Sequence, residues 1–182
     1  MLLKLTRAVC VPRAVVLLFA LAGCAAPTVY RDATAPISST ALFEPARYAG
    51  RWHEVARFPV SFQKDCAGAT ADYGVQPDGS LSVLNICRNA DGTERTRITG
   101  STEVVGPGRF IVRFDGVPFV AADYWVLWVD EGYRTAVVGS PNGTSGWILN
   151  RDPEIPADRL RAARDILEFN GYDISQLMEI TP

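Results

Sequence analysis

Only one histidine, His53, occurs among the 182 residues. A site built from two histidines is therefore excluded, and any Ser-His-Asp arrangement would have to use His53. The window His53-Glu54-Val55-Ala56-Arg57 places Arg57 where a zinc protease needs its second histidine, so no metal site is expected. There is no Cys-x-x-Cys, no phosphate-binding loop and no Gly-x-Ser-x-Gly elbow, which leaves catalysis and a bound cofactor without candidate residues. No run of Lys and Arg exists and the formal charge is only −2, so a nucleic-acid partner is not expected. A fixed-period repeat is absent too, which argues against a solenoid or propeller.

What is present first is a targeting pattern. Lys4, Arg7 and Arg13 precede the apolar run from Ala14 to Ala22, which is too short for a permanent membrane span and suits a signal-peptide core over residues 1–23. Leu21-Ala22-Gly23-Cys24 resembles the bacterial lipobox, in which the cysteine thiol accepts a lipid before cleavage ahead of it. That resemblance implies palmitate-type acylation at Cys24, anchoring in the bacterial outer membrane, facing the periplasm. The other reading is an ordinary secretory signal with Cys24 a spare thiol. Loss of the three positive charges moves the formal balance to about −5, so attachment has to come from acyl chains and not from attraction to anionic lipid. Residues 24–41, rich in Ala, Ser, Thr and Pro, read as a flexible tether, and the domain proper as 42–182.

From Gly50 onward the pattern is β. Strand one runs from Gly50 to Phe58 and alternates, with Trp52, Glu54, Ala56 and Phe58 expected to face inward and Arg51, His53, Val55 and Arg57 outward. Further strands follow over 69–75, 80–87, 93–105, 109–115, 122–130, 133–140 and 145–151, separated by turns such as Pro77-Asp78-Gly79, Gly106-Pro107-Gly108 and Asn142-Gly143-Thr144. Phe110, Val112 and Phe114 share one strongly apolar face, and Trp125, Leu127 and Val129 share the outward face of their strand. A helix begins near Pro156, carries Leu160, Ala163 and Leu167 in a stripe, and stops at Asn170-Gly171; a short strand over 176–181 follows. The expected fold is all-β: an eight-stranded antiparallel up-and-down barrel with one C-terminal helix outside, since closure removes two unpaired sheet edges. Such a barrel has room for one small ligand.

With Cys10 lost and Cys24 acylated, Cys66 and Cys87 remain as a pair in an oxidising compartment. A turn near Asp78 sets Cys87 opposite Ala69, so the bridge requires a curl at Gly68; the rival is a free thiol at the cavity mouth. Glu54, if inward, needs a partner, and Arg97 or Arg151 are the candidates.

Three separated pieces resemble the lipocalin family: Gly50-Arg51-Trp52 its Gly-x-Trp motif, Asp130-Glu131-Gly132-Tyr133 its Asp-x-x-Tyr, and Arg151 its arginine stacked on the tryptophan. The stretches 48–58, 69–85, 124–140 and 147–153 are more similar still to the bacterial outer-membrane branch, to which apolipoprotein D is related. His53 stands where that branch usually has Tyr, and Asn150-Arg151 where it has Ser-Arg or Ala-Arg. The resemblance implies that Tyr73, Asn85, Phe114, Tyr124 and Trp147 line a pocket, to which the inward faces add Glu54, Phe58, Phe110 and Val112. It also implies a non-enzymatic binder of a fatty acid or lysophospholipid that stores or transports it. The alternatives are a lipid enzyme using a free cysteine, or a structural envelope lipoprotein. An outward patch or the loop Val117-Pro118-Phe119-Val120 would dock on a membrane or on a second copy, as a homodimer.

Overall fold

The computed structural model describes residues 27–180; the signal segment, Cys24 and the last two residues lie outside them. After a single helical turn, α1 (Pro45–Tyr48), eight strands follow: β1 (Gly50–Arg57), β2 (Gly68–Val75), β3 (Leu81–Arg88), β4 (Glu94–Gly106), β5 (Arg109–Phe114), β6 (Ala122–Val129), β7 (Thr135–Gly139) and β8 (Gly146–Asn150). Each pairs antiparallel with its successor, and β8 pairs back to β1, so the sheet closes on itself. The helix α2 (Ala157–Phe169) then packs outside against β7 and β8.

A ninth strand, β9 (Met178–Glu179), adds to the ring for a geometric reason. β2 pairs with β1 only from Gly50 to His53; farther along, β9 pairs with Ala56 and Arg57 on the flank that β2 has left. The expected edge strand is thus a two-residue patch over the seam.

The hydrophobic residues divide into two layers. One lies inside the barrel and includes Trp52, Tyr73, Leu81, Val83, Phe110, Val112, Val126, Val138 and Leu149. The other lies between barrel wall and helix and includes Tyr30, Val55, Ala56, Phe58, Val137, Ile148, Ala163, Leu167 and Tyr172. The helix stripe of Ala163 and Leu167 enters this outer layer fully buried, as its spacing predicts.

Phe58 is a correction. The register between β1 and β8 slips between Glu54 and Ala56, a bulge that puts both Val55 and Ala56 in the outer layer. Beyond the bulge the alternation is inverted, so Phe58 stacks outside between Tyr30 and Tyr172, with ring centroids 5.0 and 5.1 Å away. Arg57, expected outward, turns toward the interior and is only 3% exposed. A second bulge between Val126 and Trp128 likewise moves Val129 to the inner layer while Trp125 and Trp128 pack outside.

The expected flexible tether also differs. From Tyr30 to Thr40 the chain is held along the barrel wall: Tyr30 N donates to Gly143 O at 2.8 Å, Asp32 N to Gly171 O at 2.9 Å and Thr40 N to Val126 O at 2.8 Å. Arg31 is buried, donating to the carbonyls of Asn170, Pro141 and Ala35. Low apolar periodicity conceals this docking, because two residues, Tyr30 and Arg31, provide most of the grip.

Candidate functional site

The barrel has two unlike ends. At the first, Gly50 opens β1 with a φ of 93°, and Arg151 lies 3.9 Å over the Trp52 ring. A Cβ at position 50 would sit 3.3 Å from the Arg151 guanidinium, so glycine serves both the backbone and the close approach. Arg151 also donates to the carbonyls of Arg47, Tyr48, Ala49, Arg51 and Tyr133, binding α1 and the β6–β7 turn to the base of β1. In that turn Asp130 accepts from the backbone of Arg134 and Thr135, and the Tyr133 hydroxyl accepts from Glu44 N at 2.9 Å. Phe43, Tyr48 and Phe110 complete a floor in which Trp52, Tyr48 and Leu81 are fully buried. The motif residues Gly50, Trp52, Asp130, Tyr133 and Arg151 all converge here.

Above the floor three hydroxyls join. Tyr124 receives a hydrogen bond from Tyr73 at 2.8 Å and shares another with Tyr48 at 2.7 Å. Burial raises all three phenols well out of the physiological range, so they stay neutral. Tyr73 and Tyr124 therefore satisfy each other and are not free polar anchors.

Toward the other end the wall opens. Cross-strand register places Ala71 with Asn85, Asn85 with Ile98, Val83 with Gly100, and Gly100 with Phe114, all on the inner face. Ile98, Asn85, Phe114, Tyr124 and Trp147 are partly exposed although they face the barrel axis, while Phe110, Val126 and Val138 below them are buried. The inner face thus grades from a packed floor to partly exposed walls toward the other end. Asn85 Oδ1 is buried here and accepts no hydrogen bond from the protein. Thus Tyr73, Asn85, Phe110, Val112, Phe114, Tyr124 and Trp147 do share one interior; Phe58 does not.

The connection between β1 and β2 folds over this opening. Its short 3-10 turn (Ser61–Gln63) brings the Gln63 side chain into the barrel, where it donates to Glu54 Oε1 at 2.6 Å and accepts from Trp147 Nε1 at 3.0 Å. Glu54 is inward as expected, but its partner is Arg57 at 3.3 Å; Arg97 pairs with Glu94, and Arg151 belongs to the floor. Arg57 in turn donates to the carbonyls of Cys66 and Gln63, clamping the lid to the wall. Burial pushes the Glu54 carboxyl above its ordinary range, opposed by the Gln63 hydrogen bond and the Arg57 charge. Sequence reading missed Arg57 and Gln63: the first because a bulge inverted its face, the second because a lone Gln in a loop carries no signal.

Cys66 and Cys87 are bridged, with Cα atoms 5.3 Å apart. Ala69 opposes Cys87 as expected, and the curl comes from Ala67, whose N–H donates to Arg88 O at 2.9 Å. The bridge fastens the lid to β3 and removes both thiols from any nucleophilic role. His53 points outward, and burial together with the Arg51 charge lowers its basicity.

Two hollows flank the barrel. One of about 330 Å³ lies beside the lid, lined by Arg57, Pro59, Val60, Ser61, Gln63, Lys64 and Met178. The other, about 630 Å³, lies at the floor end beneath residues 41–45 and the β4–β5 turn, and of the expected pocket residues it touches Phe110. Among the described residues no cluster of His, Cys, Asp and Glu could hold a metal ion.

Comparison with known proteins gives the same architecture. The chain is 36% identical over 141 residues to temperature-induced lipocalin-1 of Arabidopsis thaliana, covering 72% of this chain and 75% of that one. It is 29% identical to the outer membrane lipoprotein Blc of Escherichia coli, over 88% of this chain and 89% of that one, and 30% identical to bovine apolipoprotein D, over 74% and 75%. Among solved structures, insecticyanin of the tobacco hornworm Manduca sexta aligns with a TM-score of 0.65 at 18% identity, over 86% of this chain and 90% of that one. The sequence profile of the lipocalin-like domain matches residues 43–182, the whole barrel and its helix, and the chain belongs to the lipocalin family.

Proposed function

We propose that this lipocalin is an anchored lipid carrier of the bacterial envelope, which takes one fatty acid or lysophospholipid into its open end without chemical change. The observation that carries the reading is the gradient of exposure along the inner face, from a sealed floor at Trp52 to partly exposed walls at Ile98, Phe114 and Trp147. An acyl chain entering that space gains about 0.8 kcal/mol for each buried methylene, enough for useful affinity without a reaction. Val83, Ile98, Val112 and Phe114 form its wall. The Gln63 lid with Arg57 meets the polar end.

Removal of residues 1–23 and acylation of Cys24 hold the protein at the outer membrane, facing the periplasm. The relatives named outer membrane lipoprotein Blc in Escherichia coli and Vibrio cholerae support that location. The lipobox-like Leu21-Ala22-Gly23-Cys24 supports the anchor. The test is mass spectrometry of the mature protein with whatever lipid leaves native membranes with it, followed by titration with a fluorescent fatty acid. An acylated N-terminal cysteine and one saturable lipid per chain are expected. A chain that carries no lipid and binds none would overturn the carrier reading.

A further inference from the structure

Four connections cross the open end of the barrel: 58–67, 89–93, 115–121 and 140–145. They are chemically unequal. Phe62 on the first is 67% exposed; Phe119 on the third is fully exposed, with Val117 and Val120 beside it also in solvent. The second is polar, its turn closed by Asp91 accepting from Thr93 and by Asn89. The fourth is where the N-terminal segment leaves the barrel, through the hydrogen bond from Tyr30 N to Gly143 O. Phe169, 80% exposed at the end of α2, stands next to this exit, since the following Asn170 receives Arg31. Strand order around the ring fixes the arrangement: the exit lies between the two apolar connections, and the polar turn lies across the mouth from it.

Resting on the anchor reading above, we propose that the mouth rim itself docks on the bilayer surface, with Phe119 and Phe62 entering the headgroup region on either side of the anchor. Only five residues separate Cys24 from Tyr30, a reach of at most about 20 Å over the six Cα–Cα steps, so an acylated Cys24 keeps the exit side of the rim near the membrane. Exposed aromatic and branched apolar side chains gain by entering that interface. The floor end also exposes Leu42, Val75 and Val104, but the anchor does not leave from there. Docked in this way, the carrier tips its opening toward lipid, and an acyl chain passes from bilayer to barrel along the Phe119 and Phe62 sides with little exposure to water.

The lipidated chain is placed on vesicles of phosphatidylethanolamine and phosphatidylglycerol with one environment-sensitive label, at Phe119→Cys or, across the mouth, at Asp91→Cys. The label at 119 is expected to be shielded from an aqueous quencher about tenfold better than that at 91. Equal accessibility, or the reverse, overturns the docking. In a second arm, the double variant Phe62→Ser/Phe119→Ser takes a fluorescent fatty acid from vesicles about tenfold more slowly while binding it from aqueous solution as before. An unchanged transfer rate also overturns the docking. Failure to bind fatty acid from either source defeats the carrier reading alone, because the label reports docking without cargo, and a mature chain lacking the acyl group defeats both.

Discussion

The floor and the mouth of this barrel are made from the same eight strands yet held by opposite means. At the floor, an indole lies under a guanidinium, and one arginine side chain gathers the carbonyls of five residues. Trp52, Tyr48, Leu81 and Phe110 are packed there with almost no exposure. At the mouth, the inward residues are partly bare, and closure depends on a loop held by Gln63, Arg57 and a disulfide. Packing at one pole supplies stability; the partly exposed walls at the other are where the proposed carrier would take its guest. In the carrier reading proposed above, the difference teaches that a small barrel segregates stability and binding along its axis instead of trading them at each residue.

The sharpest way to break the contrast is to empty the floor. Trp52→Ala removes a fully buried indole and the surface on which Arg151 rests, and is expected to cost about 4 kcal/mol in a urea unfolding titration. At the mouth, replacing both Cys66 and Cys87 with Ser releases the lid from β3 and is expected to cost about 3 kcal/mol, while ligand exchange becomes faster in stopped-flow release. Arg151→Lys keeps the charge but loses the planar fork; about 2 kcal/mol of stability should go, with fatty-acid affinity little changed.

The smallest effect is one of pH. Because burial raises the folded-state pKa of Glu54 above its unfolded value, the folded chain retains that proton when the unfolded chain has lost it. The Glu54 contribution is thus fully present below the unfolded carboxylate range and declines as pH rises through the raised value. In Glu54→Gln this decline disappears, so the stability of the parent minus that of the variant should fall between mildly acidic and neutral pH. A flat difference would mean that Arg57 and Gln63 fully offset the burial.

Much of this was legible in the sequence. Turn residues and alternating apolar faces located the eight strands, the helix stripe located the outer layer, and cysteine arithmetic paired Cys66 with Cys87. The resemblance of Gly50-Arg51-Trp52, Asp130 to Tyr133 and Arg151 to one family located the floor. What stayed hidden has a common physical origin. A bulge adds one residue without leaving any mark in composition, yet it exchanged the faces of Phe58 and Arg57, and so misplaced a pocket wall and concealed the partner of Glu54. Docking of the strap from Tyr30 to Thr40 depends on tertiary hydrogen bonds that no local pattern announces, and Gln63 acts through a loop whose path only the folded chain defines.

The most direct test of the unequal ends is the affinity of the mature protein for saturated fatty acids of increasing length, measured by competition against a fluorescent one. Each added methylene should tighten binding about fourfold until the chain meets the floor, after which affinity should level off. Phe114→Trp, which fills part of the same space, should bring that plateau to a shorter chain. Affinity that does not change with chain length, or no binding at any length, would contradict the account.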